Sequence, residues 1–313
     1  MKVKSIWKYS LLMAGVLAAA VAVHQFAQEP GNGIFYRVSG GKNDLYLLGS
    51  IHVGSKEMYP MSDAIRQALK QADVLVFECD TTSQEARAAT AQLMKSETPL
   101  SSVVSAACYE QLQKAAEKLG YDMASFENMK LWAVTSTLTV AAAAHEMDAG
   151  SSKAASALGV ENMVRKQANG KKIAYLETAV AQLELMETFS PALQEYLLSS
   201  ACQAVIDPEN TTGTDEDIDR WPVWWKNGDA QAFADSYTLG LTKETSPELA
   251  EEYHQKLMTT RNHQMAEQLL NMLESEEQHS YFATVGLMHL VLPEDSIIDE
   301  LRSNGYTVEQ ILP

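Results

Sequence analysis

Two histidines close two strand-like runs, His52 at the end of LYLLGSIH and His289 at the end of YFATVGLMH. Each is the last residue of a Gly-x-x-His string, Gly49 to His52 and Gly286 to His289. A proline follows each (Pro60, Pro293), and then a helical pattern, SDAIRQALKQA or EDSIIDELRSNG. Neutral imidazole is a metal ligand and also a proton acceptor near pH 7. Matched imidazoles on two similar units therefore point to a shared divalent metal or a shared acid–base centre. Either histidine alone reads as an ordinary strand-end residue bonded to backbone. The pair, taken with nearby carboxylates, reads as a site.

The carboxylates are Glu78, which ends the buried-looking run VLVFE, and Glu177, which ends IAYLE. In an open α/β sheet the ligand crevice lies beyond the carboxyl ends of the strands, where all four residues fall. Two imidazoles and one or two carboxylates can bind a divalent ion and leave positions open for water. Mixed nitrogen and oxygen donors suit manganese, cobalt, zinc or iron alike. Other chemistries lack their signatures: no G-x-S-x-G, H-E-x-x-H, P-loop or G-x-G-x-x-G occurs. Ser50, near His52, gains no support as a nucleophile. The acidic run 214–219 lacks the glycine and distal glutamate of a calcium loop and reads as solvated. Trp221, Trp224 and Trp225 read as packing residues.

Strand and helix patterns alternate in a way that positions these groups. IFYRVS and DLYLLGS form a hairpin through Gly40-Gly41-Lys42-Asn43. A helix from about Ser62, a strand Asp73–Cys79, a strand Lys171–Glu177 and a strand Tyr281–His289 follow. A helix at Glu294–Ser303 and a last strand, YTVEQIL, close the chain. Between them lie helical stretches over about 82–168 and about 190–275, including LWAVTSTLTVAAAAHEM, apolar nearly all round and so buried. Thr178 is placed to cap the helix after Glu177, and Gly170 to stop the helix before it. The expected fold is α/β: a central mixed sheet built from two similar strand–Gly-x-x-His–helix–strand units, with large helical insertions.

At 313 residues the chain can bury a large core. Lys2, Lys4 and Lys8 precede an apolar run from Ser10 to Val23, too short for an ordinary membrane span. Residues 1–27 therefore read as a signal peptide or N-terminal anchor, and 28–313 as an exported domain, periplasmic or extracellular. A net charge of −17 opposes nucleic acid and anionic membrane surfaces, which leaves such an anchor as the one expected membrane contact. Cys79, Cys108 and Cys202 permit one disulfide and a free thiol but no disulfide framework.

Together these strings resemble the TraB/GumN family, related to the Tiki metalloproteases, over nearly all of 28–313. The resemblance rests on LLGSIHVG with Pro60, VLVFE, GVENMVRKQANGKKIAYLETAVAQL, Trp225-x-x-Gly228-Asp229, Arg261-Asn262 and VGLMHL before Pro293. Where the family pattern reads G-v-D, this chain has Gly159-Val160-Glu161. The resemblance implies a fold of the erythromycin-esterase/ChaN-like kind and metal-dependent hydrolysis, with manganese or cobalt favoured. His52, His289, Glu78 and Glu177 would be metal ligands or acid–base groups. Arg261 and Asn262 would donate to substrate or to a developing oxyanion. The expected activity is peptide hydrolysis by metal-activated water, one carboxylate serving as base. Two other readings accompany it: a non-catalytic metal or haem binder, and an accessory factor in exopolysaccharide assembly.

Overall fold

The computed structural model describes residues 29–146, 152–207, 218–243 and 246–312. The N-terminal leader and most of the acidic run 214–219 lie outside the described residues. Six strands form one sheet: β1 Phe35–Ser39, β2 Asp44–Ser50, β3 Val74–Phe77, β4 Lys172–Tyr175, β5 Ser280–Gly286 and β6 Thr307–Gln310. Their order across the sheet is β4-β3-β5-β2-β1-β6. The four strands from β4 to β2 run parallel, whereas β1 pairs antiparallel with both β2 and β6. The chain is thus α/β with a mixed sheet and many helices, as its alternating patterns predict.

Strand composition follows position. VLVF of β3 is buried at every residue, as a parallel strand covered on both faces should be. Edge strand β4 is half open, and its Ile173 is 40% exposed. The hairpin forms as expected, with Phe35 opposite Leu48 and Val38 opposite Leu45. Its turn also anchors a helix. Asn43 donates its side-chain amide to Met272 O at 2.9 Å and Ser275 O at 2.8 Å, and Lys42 N donates to Leu273 O at 2.9 Å. Those carbonyls end the helix Thr260–Glu274, so the hairpin fixes the helix that carries Arg261 and Asn262.

Helices cover both long stretches between the strands. Ser62, Ser83, Ser105, Ser190 and Ser296 each cap a helix start, and Thr178 caps as expected through Ala181 N at 3.1 Å. The apolar segment 131–146 is a helix that buries Leu131, Val134 and Leu138. It packs with helices Ala106–Leu119 and Pro191–Ile206 around a second core containing Leu112, Phe126, Leu198 and Cys202. Trp225 lies wholly inside the main core and donates its indole N–H to Gly49 O at 2.8 Å. Among the described residues no helix is long and apolar enough to cross a membrane.

Several boundaries differ from the sequence reading. The fifth strand stops at Gly286, and His289 sits in a short helix, Met288–Val291. The region 155–168 is two short helices, Ser152–Ala157 and Val160–Arg165, broken at Gly159. The last helix starts at Ile297, where Ser296 and Asp299 form a capping box. All three cysteines are buried and free, so the disulfide permitted by composition is not formed.

Candidate functional site

Because β2, β3, β4 and β5 are parallel, their carboxyl ends share one edge of the sheet. His52, Glu78, Glu177 and His289 follow these four ends, as expected. The two histidines are nevertheless not equivalent. Ser50 is the register partner of Gly286, so β2 runs one residue further along its Gly-x-x-His string than β5 does. His52 then lies exposed on a loop, while His289 is turned inward by its helix and only 4% exposed.

Each glycine of the two strings does a different job. A Cβ at Gly286 would stand 2.8 Å from Glu78 Oε1 and 3.1 Å from His289 Cδ2. Its absence lets Gly286 N donate to Glu78 Oε1, seating the carboxylate against the strand end. At Gly49 a Cβ would instead meet Leu287 and Ile34, both core residues. One glycine makes room for a carboxylate and an imidazole, the other for packing.

Glu78 is 6% exposed and well satisfied. Besides Gly286, its Oε2 accepts from Arg261 Nη2 at 3.1 Å and from Gln182 Nε2 at 3.1 Å. Both oxygens of Glu177 face the same guanidinium, Oε2 at 3.2 Å from Arg261 Nε and Oε1 on Nη2. Gln182 Nε2 also reaches Glu177 Oε1 at 2.6 Å. Arg261 and Gln182 therefore cross-link the two carboxylates. Gln182 escaped the sequence reading because one amide on a helix has no pattern of its own. Its place four residues after Thr178, on the turn that Thr178 caps, is the one local signal.

Burial pushes the Glu78 carboxyl up, but the charges of His289, Arg261 and His52 and the Gly286 N–H outweigh it and bring it down to about 2. Burial also lowers His289, to about 4, so its imidazole is neutral at pH 7. Arg261 and Gly286 N–H are then what hold Glu78 ionised at that pH.

Asn262 sets the tautomer of His289. Its Nδ2 donates to Asp295 O at 2.7 Å, which turns Oδ1 toward His289 Nδ1 at 2.5 Å. Nδ1 therefore carries the proton, and the Nε2 lone pair is free on the Gly286 side, where it lies 3.8 Å from a Cβ built at that glycine. Asn262 is wholly buried, as such a relay requires.

Two buried hydroxyls beside this group have no partner, Ser50 Oγ and Thr284 Oγ1. The register sets Ser50 beside Gly286, and alternation places Thr284 on the same face. The His52 loop is docked backbone to backbone: Val160 N donates to Ile51 O at 3.1 Å and Gly54 N to Ala155 O at 3.0 Å. A Cβ at Gly159 would lie 2.3 Å from His52 O. That contact gives the glycine of Gly159-Val160-Glu161 its reason. Glu161 holds Arg165 at 2.8 Å, and Arg165 covers the Phe77 ring and donates to Cys79 O at 3.0 Å. The motif thereby braces the end of β3, next to Glu78. His263 and His279 pair with Glu300 and Glu277 away from the site.

The model of the TraB/PrgY/gumN family matches residues 34–310, which takes in every residue of this constellation. The chain belongs to the TraB/PrgY/gumN family. As a family member it is also similar to the uncharacterised protein YbaP of Escherichia coli (strain K12), 28% identical over 98 residues. YbaP of Shigella flexneri matches at the same identity and length. The matched stretch is 31% of this TraB/PrgY/gumN chain and 36% of each relative, so the chain spans about a third of the relatives' length. No solved structure matches.

Proposed function

We propose that this family member is an exported, metal-dependent hydrolase acting on peptide bonds. The observation that carries the reading is the relay Asp295 O–Asn262–His289, which presents a neutral imidazole Nε2 beside an ionised, buried Glu78. Carboxylate and imidazole with an outer hydrogen-bonded partner are what a divalent ion needs.

Charge bookkeeping favours a cation. One cation, Arg261, serves two carboxylates, Glu78 and Glu177, which leaves one negative charge uncancelled beside the neutral imidazole of His289. The unpartnered Ser50 hydroxyl, buried beside Gly286, is a further donor or acceptor for whatever occupies the centre. Among the described residues no three His, Cys, Asp or Glu side chains stand together as a finished ligand set. In this reading Glu78 and His289 are the pre-set ligands, and His52, exposed on its braced loop, completes them. A bound ion would lower the pKa of a water toward about 7 and polarise the scissile carbonyl.

The protein's own groups do the rest. Asn262 keeps the His289 lone pair aimed, and Gly286 N–H keeps Glu78 seated. Arg261 Nε and Nη2 bind Glu177 and Glu78, and Asn262 Nδ2 binds Asp295 O, so in this reading both residues position the site, while Arg261 Nη1, 3.5 Å from Leu257 O, is the donor left for substrate. Glu177 serves as the counter-ion of Arg261.

Metal content by mass spectrometry, wild type beside His52→Ala/His289→Ala, tests the proposal. Near-stoichiometric manganese, cobalt, zinc or iron in the wild type, lost in the double variant, is expected. A wild type that stays empty after exposure to Mn²⁺, Co²⁺ and Zn²⁺ would sink it.

A further inference from the structure

The flank beyond Glu177 is thinly covered. Helix Ala179–Glu187, sequence AVAQLELME, is apolar on most of its surface, yet neither it nor the neighbouring helix Gln84–Leu93 buries a single residue. Between them opens a pocket of about 470 Å³, a volume in the range of ligand clefts. One wall is Leu176, Ala179 and Val180, and the other is Ala86 and Ala89. Small side chains on both walls leave the space between the helices empty.

The rim of this pocket is acidic. Asp80 and Glu85 lie on one side and Glu177 on the other. Asp80 is fixed in place, because Thr82 N, Thr82 Oγ1 and Ser83 N all donate to its Oδ1, at 2.8, 3.0 and 3.1 Å. Oδ2 takes none of these bonds. Glu85 is exposed in the first turn of its helix. Glu177 belongs to both places: it lines the pocket and binds Arg261, which in turn binds Glu78. Glu177 thus stands at the border between the pocket and the candidate site.

We propose that this pocket is the specificity subsite, taking an aliphatic side chain of a peptide whose adjacent residue is cationic. Apolar walls of alanine, valine and leucine match a branched aliphatic group. The carboxylates of Asp80 and Glu85 match a lysine or arginine beside it and repel an acidic neighbour. This inference rests on the hydrolase reading for the word substrate, but the binding itself needs no metal.

Fluorescence anisotropy of a dye-labelled heptapeptide, Gly-Ala-Leu-Lys-Ala-Ala-Gly, with the full domain in EDTA tests it. Exchanging the peptide's Lys for Glu, or its Leu for Asp, is expected to weaken binding about tenfold or more. Ala86→Trp, which fills the pocket from an incompletely buried position, is expected to weaken the parent peptide by a similar factor. Glu85→Lys is expected to weaken the Lys peptide and strengthen the Glu peptide, with thermal melting unchanged as proof of folding. No saturable binding up to about 1 mM, a very weak affinity, would overturn the proposal. So would affinities indifferent to both variants. If binding follows the pocket and the metal-loaded protein cleaves nothing, the hydrolase reading fails and the subsite stands. If the loaded protein cleaves peptides with a preference untouched by Ala86→Trp, the subsite fails alone.

Discussion

His289 turns Nδ1 onto the side-chain oxygen of Asn262 at 2.5 Å, and both side chains are buried. The contact does two things at once. It satisfies a buried imidazole proton, and it frees the opposite ring nitrogen on the side where Glu78 lies.

Replacing Asn262 separates those effects. Asn262→Ala leaves His289 Nδ1–H and Asp295 O without partners, a cost of about 1–3 kcal/mol for each buried group left unsatisfied. Loss of the outer partner of a ligating histidine typically lowers metal affinity by about 10–100-fold. Denaturant melts and Mn²⁺ or Zn²⁺ titrations of the same variant would show both losses. Unchanged metal affinity would mean that His289 is not a ligand.

The two glycines should part company. Gly286→Ala pushes a methyl against Glu78 Oε1 and His289 and should abolish metal retention, whatever it does to the melt. Gly49→Ala meets Leu287 and Ile34 in the core and should cost about 1–3 kcal/mol, the usual price of overpacking, with retained metal in the fraction that folds. Paired melts and metal assays distinguish the outcomes.

Arg261→Met removes one cation from two carboxylates. Breaking such a buried pair by deleting one partner costs about 3–5 kcal/mol, because Glu78 keeps a charge without compensation. Pairing it with Glu177→Gln should restore part of the loss. A double-mutant cycle on denaturant midpoints measures the coupling.

The thiols should be inert in the folded protein. Burial raises Cys79 and Cys202 to about 12 and Cys108 to about 11, and thiolate is the reactive form. Labelling at pH 8 is expected to be slow for all three natively and complete in denaturant. As pH rises toward those values the native rate should climb. Fast native labelling of any one of them would contradict its burial.

The sheet-end position of His52, Glu78, Glu177 and His289 was legible because apolar runs of strand length end at each of them. What stayed hidden depends on which strand lies next to which. Nothing in YFATVG indicates that β5 inserts between β2 and β3, and that insertion brings Gly286 onto Glu78. The inequality of the two histidines follows from a register offset of one residue, which the matched strings conceal. The run VGLMHL reads as strand because its apolar residues are continuous, yet a short buried helix meets the same pattern, and Leu287, Leu290 and Val291 satisfy it by packing inward. Arg261 carries no pattern of its own on its helix, and only the fold sets two carboxylates against it.

The strand order also has a consequence for how the molecule comes into being. Until β5 is in place, β2 and β3 each present a bare hydrogen-bonding edge, and the hairpin has only its own two strands. More than two hundred residues of chain, β4 among them, separate those edges from the strand that joins them, a contact order that slows folding. A chain lacking its last segment would carry both sheet edges ready to pair with a neighbour. Prompt delivery of the C-terminus, or a holdase that masks β2 and β3 meanwhile, is therefore part of what this architecture demands of the cell that makes it.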